Sequence, residues 1–284
     1  MSDIYEIIKN RFATYLDRFS SDDTFIQQNV SLKKDHTDRV VIESRGLADH
    51  LGLPERDKRL ILISALLHDV ARFPQISLYR SFKDRETRDH GDWGAQIIRS
   101  EDFLKELPEE ERTIILTVVR LHNKFILPGD LDETTLLYCH VIRDADKIDI
   151  FRVVTSMNVT EEGIVEEQRP KETGDYNPLL VKSLLNKTNA DYHQVFSTLD
   201  MYLLQLSWIF SLNFPHSLGL ISRRGDVERL LEKLPTDDTL EEVKRFLRKY
   251  IEEYLQEPPN EKKESYRHDG SSPVVCAGSL HRRS

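Results

Sequence analysis

The chain has 284 residues, a formal net charge of -9, and charged side chains at 31% of its positions. This composition is typical of a globular protein, and no stretch approaches the roughly 18 apolar residues of a membrane span. The acidic balance argues against general nucleic-acid binding. Two cysteines, Cys139 and Cys276, imply no disulfide framework. The N-terminus lacks the profile of a signal peptide, so we expect a cytoplasmic protein.

Apolar residues recur at helical spacing along most of the chain, which predicts an all-α protein. Core helices are expected at about residues 4–19, 25–51, 54–73, 90–107, 108–125 and 132–154. The segment 73–89 is too polar and irregular to be expected in the core. Further on, residues 158–176 are a candidate flap, and helices are expected within 192–214 and 227–255. We therefore predict one helical domain at 1–256, with a core at about 25–155, a C-terminal elaboration at 156–256 and a disordered tail at 257–284. We recognise no internal repeat.

The pair His68-Asp69 closes an otherwise apolar run that begins at Leu60. Placing an ionised carboxylate in such surroundings costs several kcal/mol unless an opposite charge meets it. A divalent cation is one such partner, because neutral imidazole and carboxylate are both good metal ligands. The alternative is a salt-bridged aspartate beside an ordinary core histidine.

Four more polar residues lie in comparable apolar settings on successive predicted helices: His36, His90, His122 and Asp146. Residues three, four or seven apart share one helix face, so each of these side chains is expected where its helix meets the core. Asp144 is a rival to Asp146, because the two lie on nearly opposite faces of the same helix. Asp146 is favoured. So many buried histidines and aspartates together indicate a metal centre.

The order of these residues resembles the HD superfamily of metal-dependent phosphohydrolases. The stretches Ala65–Phe73, Asp89–Ala95 and Asp144–Asp149 resemble the local motifs of that family. The resemblance covers roughly residues 25–155 and is nearest to a bacterial branch whose substrates are unassigned. It implies an all-helical domain that binds one or two divalent ions.

By this resemblance, one ion would be held by His36, His68, Asp69 and Asp146. Asp69 would bridge to a second ion, completed by His90 and His122. Nitrogen and oxygen ligands without thiolate are compatible with manganese, iron, cobalt, nickel, zinc or magnesium, and the sequence does not choose among them.

Five cations lie between the central pair and His90: Arg72, Arg80, Lys83, Arg85 and Arg88. On a segment attached at both ends to metal ligands, they are candidates for binding a phosphate-bearing substrate. The alternative is a solvated loop paired with its own acidic residues. Lys147 is a further substrate-binding candidate.

Candidate catalytic residues are Asp69, Arg72 and Lys124. Arg72 follows the central pair by one turn, and Lys124 lies just past His122. Arg39 is expected to form a salt bridge with Asp69 or a neighbouring carboxylate. Asp89 and Asp92 flank His90 and are expected to orient its ring by a hydrogen bond.

The function predicted from these observations is metal-dependent hydrolysis of a nucleotide or another small phosphate ester. Two alternatives use the same ligands: a di-iron oxygenase, and a regulatory module that binds metal without turnover. A small phosphorylated substrate is the expected partner. No membrane association is expected, and a homo-oligomer is compatible with the sequence.

Overall fold

The computed structural model describes residues 3–156 and 174–256, and the protein is all-α over these ranges, as predicted. The helices are α1 (Asp3–Leu16), α2 (Thr24–His50), α3 (Glu55–Leu67), α4 (Arg72–Tyr79), α5 (His90–Ser100), α6 (Glu109–Leu121), α7 (Glu133–Ser156), α8 (Pro178–Leu185), α9 (Thr198–Ser207), α10 (Pro215–Arg223), α11 (Asp226–Glu232) and α12 (Asp238–Gln256). Among these helices, none combines the length and apolarity needed to cross a membrane. The predicted tail at 257–284 and almost all of the candidate flap lie outside the described residues.

The long helices α2 and α7 pack against each other, and α3 packs against both. Helix α2 begins at Thr24 because the Asp23 side chain accepts a hydrogen bond from the Ile26 amide, 3.2 Å away. After α2 ends, Gly52 turns the chain with a φ of 64°, a conformation that glycine adopts without steric cost. Pro54 then precedes the first turn of α3.

The chain after α3 differs from the prediction of a helix that continues to residue 73. Helix α3 ends at Leu67, and Asp69 lies in the turn that leads into α4. Pro74 stands in the first turn of α4, where its missing N–H removes no helical hydrogen bond. The expectation that the segment after Phe73 stays out of the core is also wrong at its start, since Phe73 and Ile76 are fully buried.

Helices α5 and α6 are shorter than predicted. His90 is the first residue of α5, which is capped by Asp89 through a 2.9 Å hydrogen bond from the Asp92 amide. His122 follows directly after α6. The two histidines of this region therefore stand at helix ends, His90 at the start of α5 and His122 after the end of α6.

The C-terminal helices pack against the core mainly through α7. Helices α8 and α10 were not predicted, and each begins with a proline at its first position, Pro178 and Pro215. Arg224, which follows α10, donates to the Ile148 carbonyl on α7 at 2.8 Å and to Glu43 on α2 at 3.1 Å. The grouping of all described helices into one domain stays a prediction.

Candidate metal centre

Four histidine side chains converge where the ends of α3, α5 and α6 meet the middle of α2. The Nε2 atoms of His36 and His68 are 3.3 Å apart, and those of His90 and His122 are 3.0 Å apart. All four residues are buried. Two pairs of imidazole nitrogens therefore face one another inside the domain.

The Asp69 carboxylate lies between the two histidine pairs. Its Oδ2 is 3.6 Å from the Nε2 atoms of both His36 and His68. Its Oδ1 is 3.5 Å from His90 Nε2 and 3.7 Å from His122 Nε2. The structure thus forms two groups of three candidate ligands that share Asp69.

Each of the two histidines that follow a helix has its other ring nitrogen bonded to a carbonyl of that helix. His68 Nδ1 donates to the Ala65 carbonyl and His122 Nδ1 to the Val119 carbonyl, both at 2.7 Å. Carbonyls only accept, so the ring proton resides on Nδ1 and the Nε2 lone pair faces the centre.

The other two histidines are oriented by carboxylates. His36 Nδ1 lies 2.7 Å from Asp149 Oδ2, and His90 Nδ1 lies 2.6 Å from Asp84 Oδ2. Such contacts fix the ring orientation and increase the basicity of the opposite nitrogen, as is typical of metal-binding histidines. Arg39, which was expected near such a carboxylate, binds Asp149 at 2.6 Å.

The donor atoms suit a divalent cation. Burial lowers the pKa of both His68 and His90 to about 4, so their rings are neutral at pH 7. With Nδ1 protonated, the facing Nε2 atoms of two neutral rings are both acceptors and cannot bond to each other. Ligands about 2.1 Å from one ion stand roughly 3.0–3.4 Å apart, close to the separations found here.

The two rival aspartates of α7 point to different places. Asp146 Oδ1 is 3.2 Å from His36 Nε2, and its side chain is 22% exposed. Asp144 is fully buried and accepts hydrogen bonds from the amides of Asn213 and Phe214 instead. The structure therefore brings Asp146, not Asp144, to the histidines.

The two carboxylates beside His36 also change its protonation. Burial and Lys33 both act to lower the pKa of His36, but hydrogen bonds with Asp146 and Asp149 outweigh them and raise it. The two carboxylates thus favour positive charge beside His36. The position between His36 Nε2 and Asp146 Oδ1 therefore favours a cation.

Lys33 contacts the centre and was missed by the sequence analysis. Its Nζ lies 2.8 Å from Asp69 Oδ2, and the side chain is 19% exposed. Burial acts to raise the pKa of Asp69, but Lys33 and His68 hold it well below its usual range. Lys33 precedes His36 by three residues on α2, so helical spacing places the two side chains on one face. That spacing was the available signal.

Asp84 was also missed, and it is the residue that orients His90. Besides His90, it accepts hydrogen bonds from Arg72 at 3.0 Å and from Gln75 at 3.1 Å. It lies in a short 3₁₀ turn within an irregular segment, where no periodicity marks it. The prediction that Asp89 and Asp92 orient His90 is wrong.

Asp89 and Asp92 bind Lys124 instead. The Lys124 ammonium lies 2.6 Å from Asp89 and 2.8 Å from Asp92, at the start of α5. Its charge is therefore matched by two carboxylates. A catalytic role for Lys124 stays a prediction without a contact to Asp69 or the histidines to support it.

Of the predicted substrate-binding cations, the structure brings Arg72 to the centre, with Nε 3.5 Å from Asp69 Oδ1. Arg80 instead binds Asp23 at 2.5 Å and covers the Phe25 ring. Asp23 and Phe25 lie at the start of α2, about 16–20 Å along the helix from His36. A role for Arg80 in substrate binding stays a prediction.

The remaining predicted cations have partners outside the histidine cluster. Lys83 and Arg85 lie 3.5 Å and 3.6 Å from Glu86. Arg88 donates to Gln96 at 3.0 Å. Lys147 Nζ donates to the Ser211 carbonyl at 3.4 Å, and burial lowers the pKa of Lys147 to about 8. Their roles in substrate binding stay predictions.

Comparison with known protein families matches residues 34–150 to the HD domain. No curated protein and no solved structure matches the chain. The matched residues include all six predicted ligands: His36, His68, Asp69, His90, His122 and Asp146. The predicted resemblance to the HD superfamily is confirmed, because residues 34–150 match the HD domain model.

Proposed function

We propose that this protein hydrolyses a small phosphate ester, with a nucleotide as the expected substrate class, at a centre of divalent metal ions. HD domains are associated with metal-dependent phosphohydrolase-type function, which gives the general class of reaction. The observation that carries the proposal is the Asp69 carboxylate, which faces one histidine pair with each oxygen and has two cations beside it.

The first ion would be held by His36, His68, Asp69 and Asp146. The second would be held by His90, His122 and the other oxygen of Asp69. Divalent ions at such positions polarise phosphoryl oxygens and lower the pKa of bound water toward neutrality. Manganese, iron, cobalt, nickel, zinc and magnesium are the candidate metals.

Lys33 and Arg72 are the residues that we expect to bind the phosphoryl group. Both cations stand at Asp69, and both lie close to the Phe82 ring, 5.5 Å and 5.6 Å from its centroid. The Phe82 carbonyl also accepts a hydrogen bond from Arg72 at 2.7 Å. These contacts hold two positive groups in fixed positions next to the Asp69 carboxylate, which favours a dianionic substrate.

The charge balance of the centre supports an anionic substrate. The carboxylates beside the ligand histidines supply four negative charges, from Asp69, Asp84, Asp146 and Asp149, and two divalent ions would bring four positive charges. Lys33, Arg39 and Arg72, which contact these carboxylates, add three further positive charges, so the sum is an excess of positive charge. A phosphate ester compensates this excess, while an uncharged substrate does not.

The test is phosphate release from a panel of nucleotides and phosphate esters, using protein stripped of metal and then supplied with each candidate ion. Replacement Lys33→Met is expected to lower kcat/KM by about 100-fold with metal content unchanged, because it removes one phosphate-binding donor. Lys34→Met, at the exposed neighbouring position, is the matched control and is expected to keep full activity.

Absence of turnover with every ion, in protein shown to bind metal, would contradict the proposal. Oxygen-dependent turnover with iron alone would then favour the oxygenase. Metal binding with neither reaction would favour the regulatory module.

A further inference from the structure

The two histidine pairs lie in two segments that align without a gap. Residues 36–69 match residues 90–123, each position pairing with the one 54 residues later in the chain. The identical pairs are His36/His90, Asp38/Asp92, Arg45/Arg99, Leu53/Leu107, Pro54/Pro108, Glu55/Glu109, Ile61/Ile115, Leu62/Leu116, Leu67/Leu121 and His68/His122. The expectation of no internal repeat is therefore wrong.

The structure repeats at the same offset. Helices α3 and α6 both have 13 residues, and their first and last residues correspond. Each helix follows a proline, Pro54 or Pro108, with nearly the same backbone angles. Each is followed by a histidine, His68 or His122, with right-handed helical backbone angles. The Nδ1 of each histidine donates a hydrogen bond to the carbonyl three residues earlier, at 2.7 Å.

Each repeat contributes one histidine pair to the centre. In both pairs the first histidine is oriented by a carboxylate from outside its own repeat. Asp149 of α7 serves His36, and Asp84 serves His90, at 2.7 Å and 2.6 Å. The similarity between the two pairs therefore includes both the histidines and the carboxylates that orient their rings.

The repeats differ at their last position, where Asn123 corresponds to Asp69. Asp69 reaches inward between the two pairs, whereas Asn123 lies on the outer side of His90. Its Nδ2 is 3.3 Å from Asp84 Oδ2 and 3.2 Å from Asp89 Oδ1. The amide nitrogen must face these carboxylates, because an oxygen there would be repelled by both.

Gly91 makes room for this arrangement. A Cβ atom at Gly91 would meet Asn123 Oδ1 at 2.5 Å and the Arg120 carbonyl at 2.7 Å. The corresponding position of the first repeat holds Thr37. Asn123 is thus packed directly under the start of α5, where it steadies the carboxylate that orients His90.

We propose that the two repeats form two unequal halves of the metal centre, and that Asp84 and Asn123 are positioning residues for the His90/His122 half. This inference rests on the proposed metal centre. The His36/His68 half has Asp146 as a carboxylate that it does not share, 3.2 Å from His36 Nε2. In the His90/His122 half, Asn123 stands where the first repeat has Asp69 and provides no carboxylate of its own, so this half binds its ion more weakly.

The experiment is calorimetric binding of Mn²⁺ to the metal-free full-length chain. The wild-type protein is expected to bind two ions with different affinities. Asp84→Ala is expected to weaken only the weaker ion by about 10- to 100-fold, with partial recovery in Asp84→Asn, which keeps an acceptor for His90. Asn123→Ala is expected to weaken the same ion to a smaller extent.

Two comparison variants assign the halves. Asp149→Ala is expected to weaken the tighter ion, because it releases His36. Glu86→Gln removes an exposed carboxylate from the segment that carries Asp84, and it is expected to leave both affinities unchanged. Circular dichroism of each metal-free variant verifies its fold, and Asn123→Ala provides the decisive comparison if Asp84→Ala does not fold.

Several results would overturn the inference. These are one bound ion in the wild type, two ions of equal affinity, unchanged affinities in both Asp84→Ala and Asn123→Ala, or loss of the same ion in Asp84→Ala and Asp149→Ala. None of these readouts requires turnover. A protein that binds two unequal ions as described but hydrolyses no phosphate ester would contradict the proposed function alone.

Discussion

Asp69 and Asp144 are both buried carboxylates in the middle of the protein, but their surroundings are opposite. Asp144 receives hydrogen bonds from the Asn213 amide, the Asn213 side chain and the Phe214 amide, at 2.8–3.1 Å. Asp69 is surrounded by imidazole nitrogens, and Lys33 is its closest cation at 2.8 Å.

The difference separates a structural carboxylate from a candidate ligand. Around Asp144 the protein supplies donors of its own, and burial raises the pKa of this residue because those donors are mostly neutral amides. Around Asp69 it supplies acceptors that point at the carboxylate from two sides, which is unfavourable unless cations lie between them. Burial alone therefore does not identify a metal ligand, but the chemistry of the facing atoms does.

The largest expected effect comes from Asp69→Ala. Loss of the shared carboxylate should reduce metal content and phosphate release to background, while circular dichroism stays close to that of the wild type. Metal analysis and the phosphate-release panel provide the measurement. An Asp69→Ala protein with full metal content and full turnover would refute the site.

Asp144→Ala is expected to show the opposite pattern. It leaves the buried amides of Asn213 and Phe214 without their acceptor, so the free energy of unfolding should fall by about 2–4 kcal/mol. Denaturant unfolding of the metal-free protein measures this change. Metal binding should persist, and its loss in a folded Asp144→Ala protein would remove the distinction between the two carboxylates.

Metal addition is expected to stabilise the wild-type protein. An ion supplied at 100 times its dissociation constant should raise the free energy of unfolding by about 2.7 kcal/mol per site. The thermal midpoint of unfolding, measured once with the added ion and once with a chelator in its place, tests this increase. Asp69→Ala is the control in which the increase should disappear, and an equal increase in both proteins would place the binding elsewhere.

Lys33→Met is expected to give a smaller change of stability. Without the ammonium, Asp69 loses its closest cation, so the metal-free protein should be less stable by about 1–3 kcal/mol. Adding metal should remove most of the difference, because an ion then compensates the carboxylate. An unchanged stability of the metal-free protein would show that Arg72 and the histidines suffice to compensate the Asp69 carboxylate.

Much of the fold could be predicted because helical periodicity is a local property. The bounds of α1, α2 and α7 lie within a few residues of the predicted ones, and the apolar face of α12 was visible from its spacing. The ends of α3, α5 and α6 were predicted less well. Apolar residues continue past those ends, and tertiary contacts decide where each helix stops.

The positioning residues were harder to predict than the candidate ligands. Asp84 lies in a 3₁₀ turn without periodicity. Its role becomes visible only when α4, α5 and Asn123 meet around it. Lys33 had a helical signal, because it precedes His36 by three residues whereas Lys34 precedes it by two, but that signal does not reveal the contact with Asp69. Conversely, Arg80 was predicted to bind phosphate, and the structure pairs it with Asp23.

The sequence by itself determined the helical class, the HD resemblance, and the histidines and aspartates able to bind metal, because residue type and short-range spacing decide these properties. It also contained the repeat of residues 36–69 at positions 90–123, although the equivalent placement of the two copies at the histidine cluster was not apparent from the sequence alone. The tertiary structure decided which oxygen of Asp69 faces which histidine pair and which α7 aspartate lies beside His36. It also decided which cations reach the centre. Those choices depend on contacts between residues up to 113 positions apart, such as His36 and Asp149, which no local pattern encodes.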